Sequence, residues 1–204
     1  MRSCPLNLKK HEPKQSTMGS NLENSPIVVR IPPVGDADDE KLTSTLADIV
    51  NTVYTKAEGD IFIPSYKRTS APEIAQFIRN NQLAVAYLVS DNTPVGCVFI
   101  KLITPQLGEF GMLALDGKYQ GGGLGRQMAV FAEDECRRRG CTTMQLEILV
   151  PQHFHHEGKA VLLRWYMRMG YKLVKLGDFN EDYPELNKLL AGPTEYRVFE
   201  KSLV

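Results

Sequence analysis

From Pro26 onward the chain alternates between short β-rich runs and stretches with helical spacing. Ile27-Val28-Val29-Arg30-Ile31 reads as a strand stopped by Pro32-Pro33. Leu42, Leu46, Ile49, Val50 and Val53 recur at helical intervals behind acidic Asp36, Asp38 and Asp39, which suit a helix N-terminus. A second helix is expected from Ser70-Ala71-Pro72-Glu73, where the serine can cap and the glutamate can reach back, followed by Ile74, Phe77 and Ile78. The segment 59–69 between them has no clear period. Runs at 83–89 and 95–103 flank the turn composition Ser90-Asp91-Asn92-Thr93-Pro94 and predict an antiparallel hairpin. Further strands are expected over 110–115, 144–150, 171–176 and 196–203, and helices over 124–136 and 159–169, closed by Gly140 and Gly170. The order β-α-α-β-β-β-α-β-α-β-β predicts an α/β fold whose sheet mixes strand directions, because hairpin and helical crossover connections are both present.

Residues 1–25 are polar, with little to offset the entropy of ordering, and are expected to form a mobile tail ahead of one folded domain over 26–204. The 204 residues, 43% of them hydrophobic and 24% charged, suit one soluble domain better than two. Lysine plus arginine balance aspartate plus glutamate, so there is no overall field to recruit nucleic acid or an anionic membrane, and neither partner is expected. The four cysteines form no C-x-x-C pair and read as reduced thiols. The polar start does not read as a secretory signal and no long apolar run suggests a membrane span, so a cytoplasmic, or cytoplasmic and nuclear, location is expected.

The most informative stretch runs from Leu113 to Arg126, where a strand enters Gln120-Gly121-Gly122-Gly123-Leu124-Gly125 and a helix follows. Glycines let backbone N–H groups converge, and a helix N-terminus adds a positive dipole, so the loop is suited to a phosphate; tight packing explains the same glycines without a ligand. No lysine or hydroxyl follows Gly125 as a nucleotide P-loop requires. The dinucleotide spacing places its third glycine at Arg126. Gly121-x-Gly123-x-Gly125 matches the loop of S-adenosylmethionine methyltransferases, but that fold carries it after the first strand and here it comes late in the chain.

With Gln120-Gly121-Gly122-Gly123-Leu124-Gly125 read as Gln/Arg-x-x-Gly-x-Gly/Ala, and with Tyr166-Met167-Arg168-Met169-Gly170-Tyr171 downstream, the chain resembles the GNAT superfamily of acyl-CoA-dependent N-acyltransferases over about 27–203. That resemblance implies a mixed, mainly antiparallel central sheet flanked by helices. It implies acetyl-CoA as cosubstrate, its pyrophosphate held by the backbone of Gln120, Gly121, Gly122, Gly123, Leu124, Gly125 and Arg126, and its pantetheine arm by the main chain of Leu113 and Leu115. A primary amine on a small molecule or peptide would attack the thioester directly, with a strand N–H near Leu113 at the oxyanion. Tyr166 would protonate the departing thiolate; a tyrosine filling core space is the plainer reading of the same residue.

The acceptor amine must lose a proton. Glu109, ahead of the central strand, is one candidate base. The loop Gln152-His153-Phe154-His155-His156 offers another in its histidines, His153 foremost, and its H-x-H-H spacing also admits a metal, although none is assigned. Lys159 and Leu162 stand where the family usually has an asparagine and an alanine, so Lys159 or Arg164 either meets a phosphate or is a solvated helix charge. The run Asp178, Glu181, Asp182, Glu185 either draws a cationic acceptor or is a solvated loop. A non-catalytic acyl-CoA-binding module is the alternative to an enzyme, and a methyltransferase the more distant one. Monomer and homodimer are both open.

Overall fold

A computed structural model of the chain describes residues 26–204, so the expected N-terminal tail and Cys4 lie outside the described residues. The elements run β1 (Ile27–Arg30), α1 (Glu40–Glu58), α2 (Ala71–Arg79), β2 (Leu83–Leu88), β3 (Pro94–Leu102), β4 (Leu107–Leu115), α3 (Leu124–Arg138), β5 (Thr143–Pro151), α4 (Glu157–Arg168), β6 (Lys172–Gly177), α5 (Phe179–Asp182), α6 (Pro184–Asn187) and β7 (Thr194–Ser202), with short 3₁₀ turns at Val34–Asp38 and Gly117–Tyr119. The order predicted from the hydrophobic pattern is observed, with α5 and α6 added.

Local chemistry accounts for the boundaries. Asp39 caps α1 by accepting from the Leu42 N–H at 3.0 Å. Ser70 caps α2 by accepting from the Glu73 N–H at 3.3 Å, but Glu73 does not reach back as expected, because its carboxylate accepts from the Thr69 hydroxyl at 2.7 Å. The segment expected as an acidic loop forms two single turns: Asp178 accepts from the N–H groups of Asn180 and Glu181, and Pro184 opens the next turn. Each turn is too short to leave a period in the sequence.

One sheet of order β1-β2-β3-β4-β5-β7-β6 organises the molecule. It is antiparallel throughout except where β4 meets β5. Its two faces bury separate cores. Ala84, Ala86, Val98 and Ile100 pack with Met128, Ala132 and Cys136 of α3, whereas Leu83, Val85 and Cys97 pack with Leu46 and Val50 of α1 and Ile74 and Ile78 of α2. Adjacent residues of β2 therefore serve opposite cores, and the strand reads as an unbroken apolar run. Cys97, Cys136 and Cys141 are buried and unpaired, as thiols.

Candidate active site

The parallel ladder between β4 and β5 holds only from Leu107 to Glu109 against Thr143 to Gln145. Beyond Glu109 the strands diverge, while β4 continues to pair with β3 on its other side as far as Leu115. That leaves the β5-facing edge of β4 open from Phe110 onward. A bulge sharpens the divergence: Phe99 pairs with Gly111 but Cys97 with Ala114, so β4 carries one extra residue, and Met112 adopts φ 48° there. A left-handed methionine is strained backbone of the kind that collects at functional positions.

The glycine loop lies at the end of this open edge. Gly121 and Gly123 adopt φ 86° and 84°, and Gly123 is the N-cap of α3. A Cβ built on Gly121, Gly122, Gly123 or Gly125 would meet no atom within 4 Å, so these glycines border open space and are not packed against the fold. Gln120 is turned away from it, its side-chain amide donating to the Leu115 carbonyl at 2.7 Å. The first N–H groups of α3 have no intrahelical partner and no acidic residue stands in that turn, so among the described residues no side chain caps this end of the helix. An oxyanion fits this cradle.

Where β4 and β5 part, a cavity of about 670 Å³ opens among α1, α4, the diverging strands and the α5–α6 turns. Tyr166 of α4 lies in its wall, buried to 6% exposure, beside Phe110, Trp165 and Tyr171. Burial pushes its phenol well above the usual tyrosine range, with Tyr54 and Glu58 adding to the effect. The group is thus held protonated, as a donor must be. Leu113 also lines the cavity, and Leu115 is buried at the far end of β4.

Strand register gathers the acids. Glu109 pairs across β4–β3 with Lys101, whose ammonium is 3.0 Å from Oε1, and across β4–β5 with Gln145, whose amide donates to Oε2 at 3.1 Å. The same Gln145 nitrogen donates to Glu147 at 3.1 Å, two residues along β5, and Glu147 accepts from the Tyr183 hydroxyl at 2.7 Å. Two carboxylates therefore share one amide. Desolvation raises the pKa of Glu109, the Glu147 charge raises it further, and Lys101 opposes both. Burial and the Glu147 contact likewise hold the Tyr183 and Tyr196 phenols high.

Several sequence candidates stand elsewhere. His153 is outside the cavity lining and packs on Phe154 and against Gly192, where an added Cβ would come within 2.6 Å of its ring. The histidine at the cavity is His156, and it is occupied: Nδ1 accepts the Lys159 N–H that opens α4, and Nε2 faces the Ala57 carbonyl at 3.1 Å and Asp60 at 3.3 Å. His155 turns to Glu157. Among the described residues no three His, Cys, Asp or Glu side chains gather as a metal site. Lys159 is neither solvated nor free for a phosphate, being 4% exposed and paired with Glu58, and Arg164 pairs with Glu157. The acidic run turns Phe179, Tyr183 and Leu186 to the cavity, while Asp178 is spent on a cap and Glu185 on Lys188. A more open hollow of about 520 Å³ shares Phe179 and Tyr196 with the cavity but contains neither Tyr166 nor Glu109. Sequence reading missed Glu147, Tyr183 and Arg68, and their only signal is position in a register that local patterns do not reveal.

No curated protein sequence matches the chain significantly. Solved structures do. N-acetylglutamate synthase from Neisseria gonorrhoeae, complexed with coenzyme A and N-acetyl-glutamate, is 16% identical with a TM-score of 0.59; the match covers 89% of this chain and 36% of that one, so this chain spans about a third of that protein. Ard1 from Thermoplasma volcanium is 12% identical over 88% of this chain and 99% of that one, TM-score 0.59. An aminoglycoside 6'-N-acetyltransferase complexed with coenzyme A is 15% identical over 87% and 97%, TM-score 0.61. At these identities the likeness is one of fold. The family model described as Acetyltransferase (GNAT) family matches residues 48–171, which hold the open strand, the glycine loop and Tyr166 alike, and the chain belongs to that family, whose cosubstrate is acetyl-CoA.

Proposed function

We propose that this chain transfers the acetyl group of acetyl-CoA to a primary amine of a small molecule or peptide by direct attack. The observation that carries this reading is the fork between β4 and β5, with an anion cradle at one end of the open edge and a buried, protonated Tyr166 where the strands part. The residues present fit the donor: Gly121 to Arg126 would hold its phosphates, and the β5-facing main chain of Leu113 and Leu115, whose carbonyl at Leu115 already accepts from Gln120, its pantetheine arm. When bound, acetyl-CoA supplies a thioester open to attack by a neutral amine.

The chain's own groups divide the remaining work. Glu109 accepts the proton of the incoming ammonium, and its raised pKa brings it nearer the range in which a base works at neutral pH. Backbone N–H at the bulge, near Leu113, orients the thioester carbonyl and stabilises charge developing on its oxygen. The Tyr166 hydroxyl gives its proton to the departing sulfur. Apolar walls from Phe77, Phe99 and Phe179 keep bulk water from the thioester. Against a pure binding module stands the placement of a carboxylate and a phenol in the same cavity as the open strand edge, where a thioester and an amine could meet both.

The test is thiol release from acetyl-CoA over an amine panel, with the acetylated amine identified by mass. Tyr166→Phe should lower kcat by ~10²-fold or more and leave acetyl-CoA affinity nearly unchanged, because a proton donor acts in the transition state. Equal kcat in the variant returns Tyr166 to packing, and CoA binding without thiol release on any amine returns the chain to a binding module.

A further inference from the structure

Arg68 has no part in the reaction described above, yet its placement is highly determined. Asn51 of α1 clamps its backbone: Oδ1 accepts from the N–H groups of Arg68 and Thr69 at 2.8 and 3.2 Å, and Nδ2 donates to the Thr69 carbonyl at 2.9 Å. The side chain lines the cavity, its guanidinium 5.4 Å from the centre of the Tyr54 ring and in contact with the phenols of Tyr54 and Tyr66. Neutral phenols do not balance a guanidinium that stays charged at any physiological pH. The carboxylates whose charge reaches it are spent elsewhere, Glu58 on Lys159 and Glu73 on the Thr69 hydroxyl. Among the described residues no carboxylate is ion-paired with Arg68. A half-buried guanidinium with no direct ion pair keeps part of its planar fork of donors for a ligand, and a two-oxygen anion matches that fork.

The same cavity holds Glu109 and Glu147 on β4 and β5, joined through Gln145. A site with a guanidinium free of any direct ion pair on its α1 side and, on its strand side, two carboxylates served by the single cation Lys101 is complementary to a zwitterion. Resting on the acetyltransferase reading, we propose that the acceptor is an amine that also bears an oxyanion, a carboxylate before a phosphate, with the anion held by Arg68 and the ammonium presented to Glu109 and Glu147. Phe62, Phe77 and Phe99 beside them make the stretch between the two charges hydrocarbon. This replaces the cationic acceptor that the acidic run at 178–185 suggested, because Asp178 is taken by a cap, Glu185 by Lys188, and Glu181 and Asp182 are outside the cavity lining.

Matched pairs differing only in the anion test it: phenylalanine and phenylalaninamide, leucine and leucinamide, with phosphoethanolamine and ethanolamine as the phosphate arm. At saturating acetyl-CoA, thiol release should favour the anionic member of a pair by ~10-fold or more in kcat/KM, since a site built for a charged hydrogen bond rejects the analogue lacking it. Arg68→Gln should cut kcat/KM for the anionic member by ~100-fold, mainly through KM, and leave the neutral member within a factor of about two. Arg68→Lys should recover part of the loss, keeping charge without the fork. A purely structural Arg68 would lower both members alike, which overturns the proposal, as does a neutral member equal or superior in every pair. A phosphate pair outrunning the carboxylate pairs keeps the oxyanion and reassigns its source. If no amine releases thiol, the acetyltransferase reading fails separately. Calorimetry of phenylalanine, leucine and phosphoethanolamine on CoA-loaded wild type and Arg68→Gln then decides the contact alone: binding lost in the variant supports it, and equal binding or none overturns it.

Discussion

Glu109 shows what a single side chain gains from register. Lys101 and Gln145 are its direct partners on either side, so each oxygen is oriented by one contact before any substrate arrives and keeps a further lone pair for it. Its folded pKa is raised, so the native protein holds a proton at a pH where the unfolded chain, near ~4.3 for glutamate, has released it. The stability this contributes is therefore fully present below the unfolded pKa and is lost as pH climbs through the folded one. Activity runs the other way, since a base must be ionised. The expected profile of kcat/KM rises with pH along a limb above the ordinary carboxylate range, and Glu109→Gln should abolish that limb and lower kcat by ~10²-fold with CoA affinity intact. An unmoved limb in Glu109→Gln would transfer the role to Glu147. Glu109 was singled out as lying ahead of the strand, whereas it stands inside β4, and Tyr166 was singled out by the motif around Gly170. Glu147 and Arg68 were not, because each acquires meaning only from residues that are distant in sequence and adjacent in the sheet or clamp.

Elements were legible where their ends are chemically marked. Asp39 and Ser70 announce α1 and α2, and Gly140 and Gly170 stand just past α3 and α4 with φ 98° each. The bulge at Met112 was invisible, since nothing in Phe110-Gly111-Met112-Leu113 demands an extra residue until β3 sets the register. At this scale the loop and helix formed by Gly121 to Arg138 act as one device. Gly123→Val should carry a strain of about 1–3 kcal/mol at a left-handed position, which lowers Tm by roughly 2–10 °C in a chain of this size. CoA affinity read by calorimetry should fall ~100-fold or more, as the side chain enters space the glycine leaves open. Gly123→Asn, which tolerates that φ, should regain most of the Tm and little of the affinity. A folded Gly123→Val protein with unchanged CoA affinity would remove the cradle from the site.

Across the whole molecule, the alternation of hairpins and crossovers correctly implied a mixed sheet, and the two glycine-bearing motifs implied its family, but no local pattern tells where two neighbouring strands cease to be neighbours. Three ladder pairs join β4 to β5, while Glu133 ties α3 to Tyr171 ahead of β6 and to Lys201 of β7, accepting from them at 2.9 and 2.6 Å. The amides of β4 beyond Glu109 that face β5 should accordingly exchange with solvent faster in the free protein than those facing β3, and CoA should slow them selectively, as hydrogen exchange read by mass spectrometry can show. Uniform protection along both edges without ligand would contradict an open fork. The fork also ties the lifetime of the protein to its supply of donor. A ligand at 100 times its Kd adds about 2.7 kcal/mol to the folded state, and here the donor would bind beside the shortest ladder of the sheet. Saturating acetyl-CoA should thus slow proteolysis of the chain at this seam, which limited digestion with and without the donor can show.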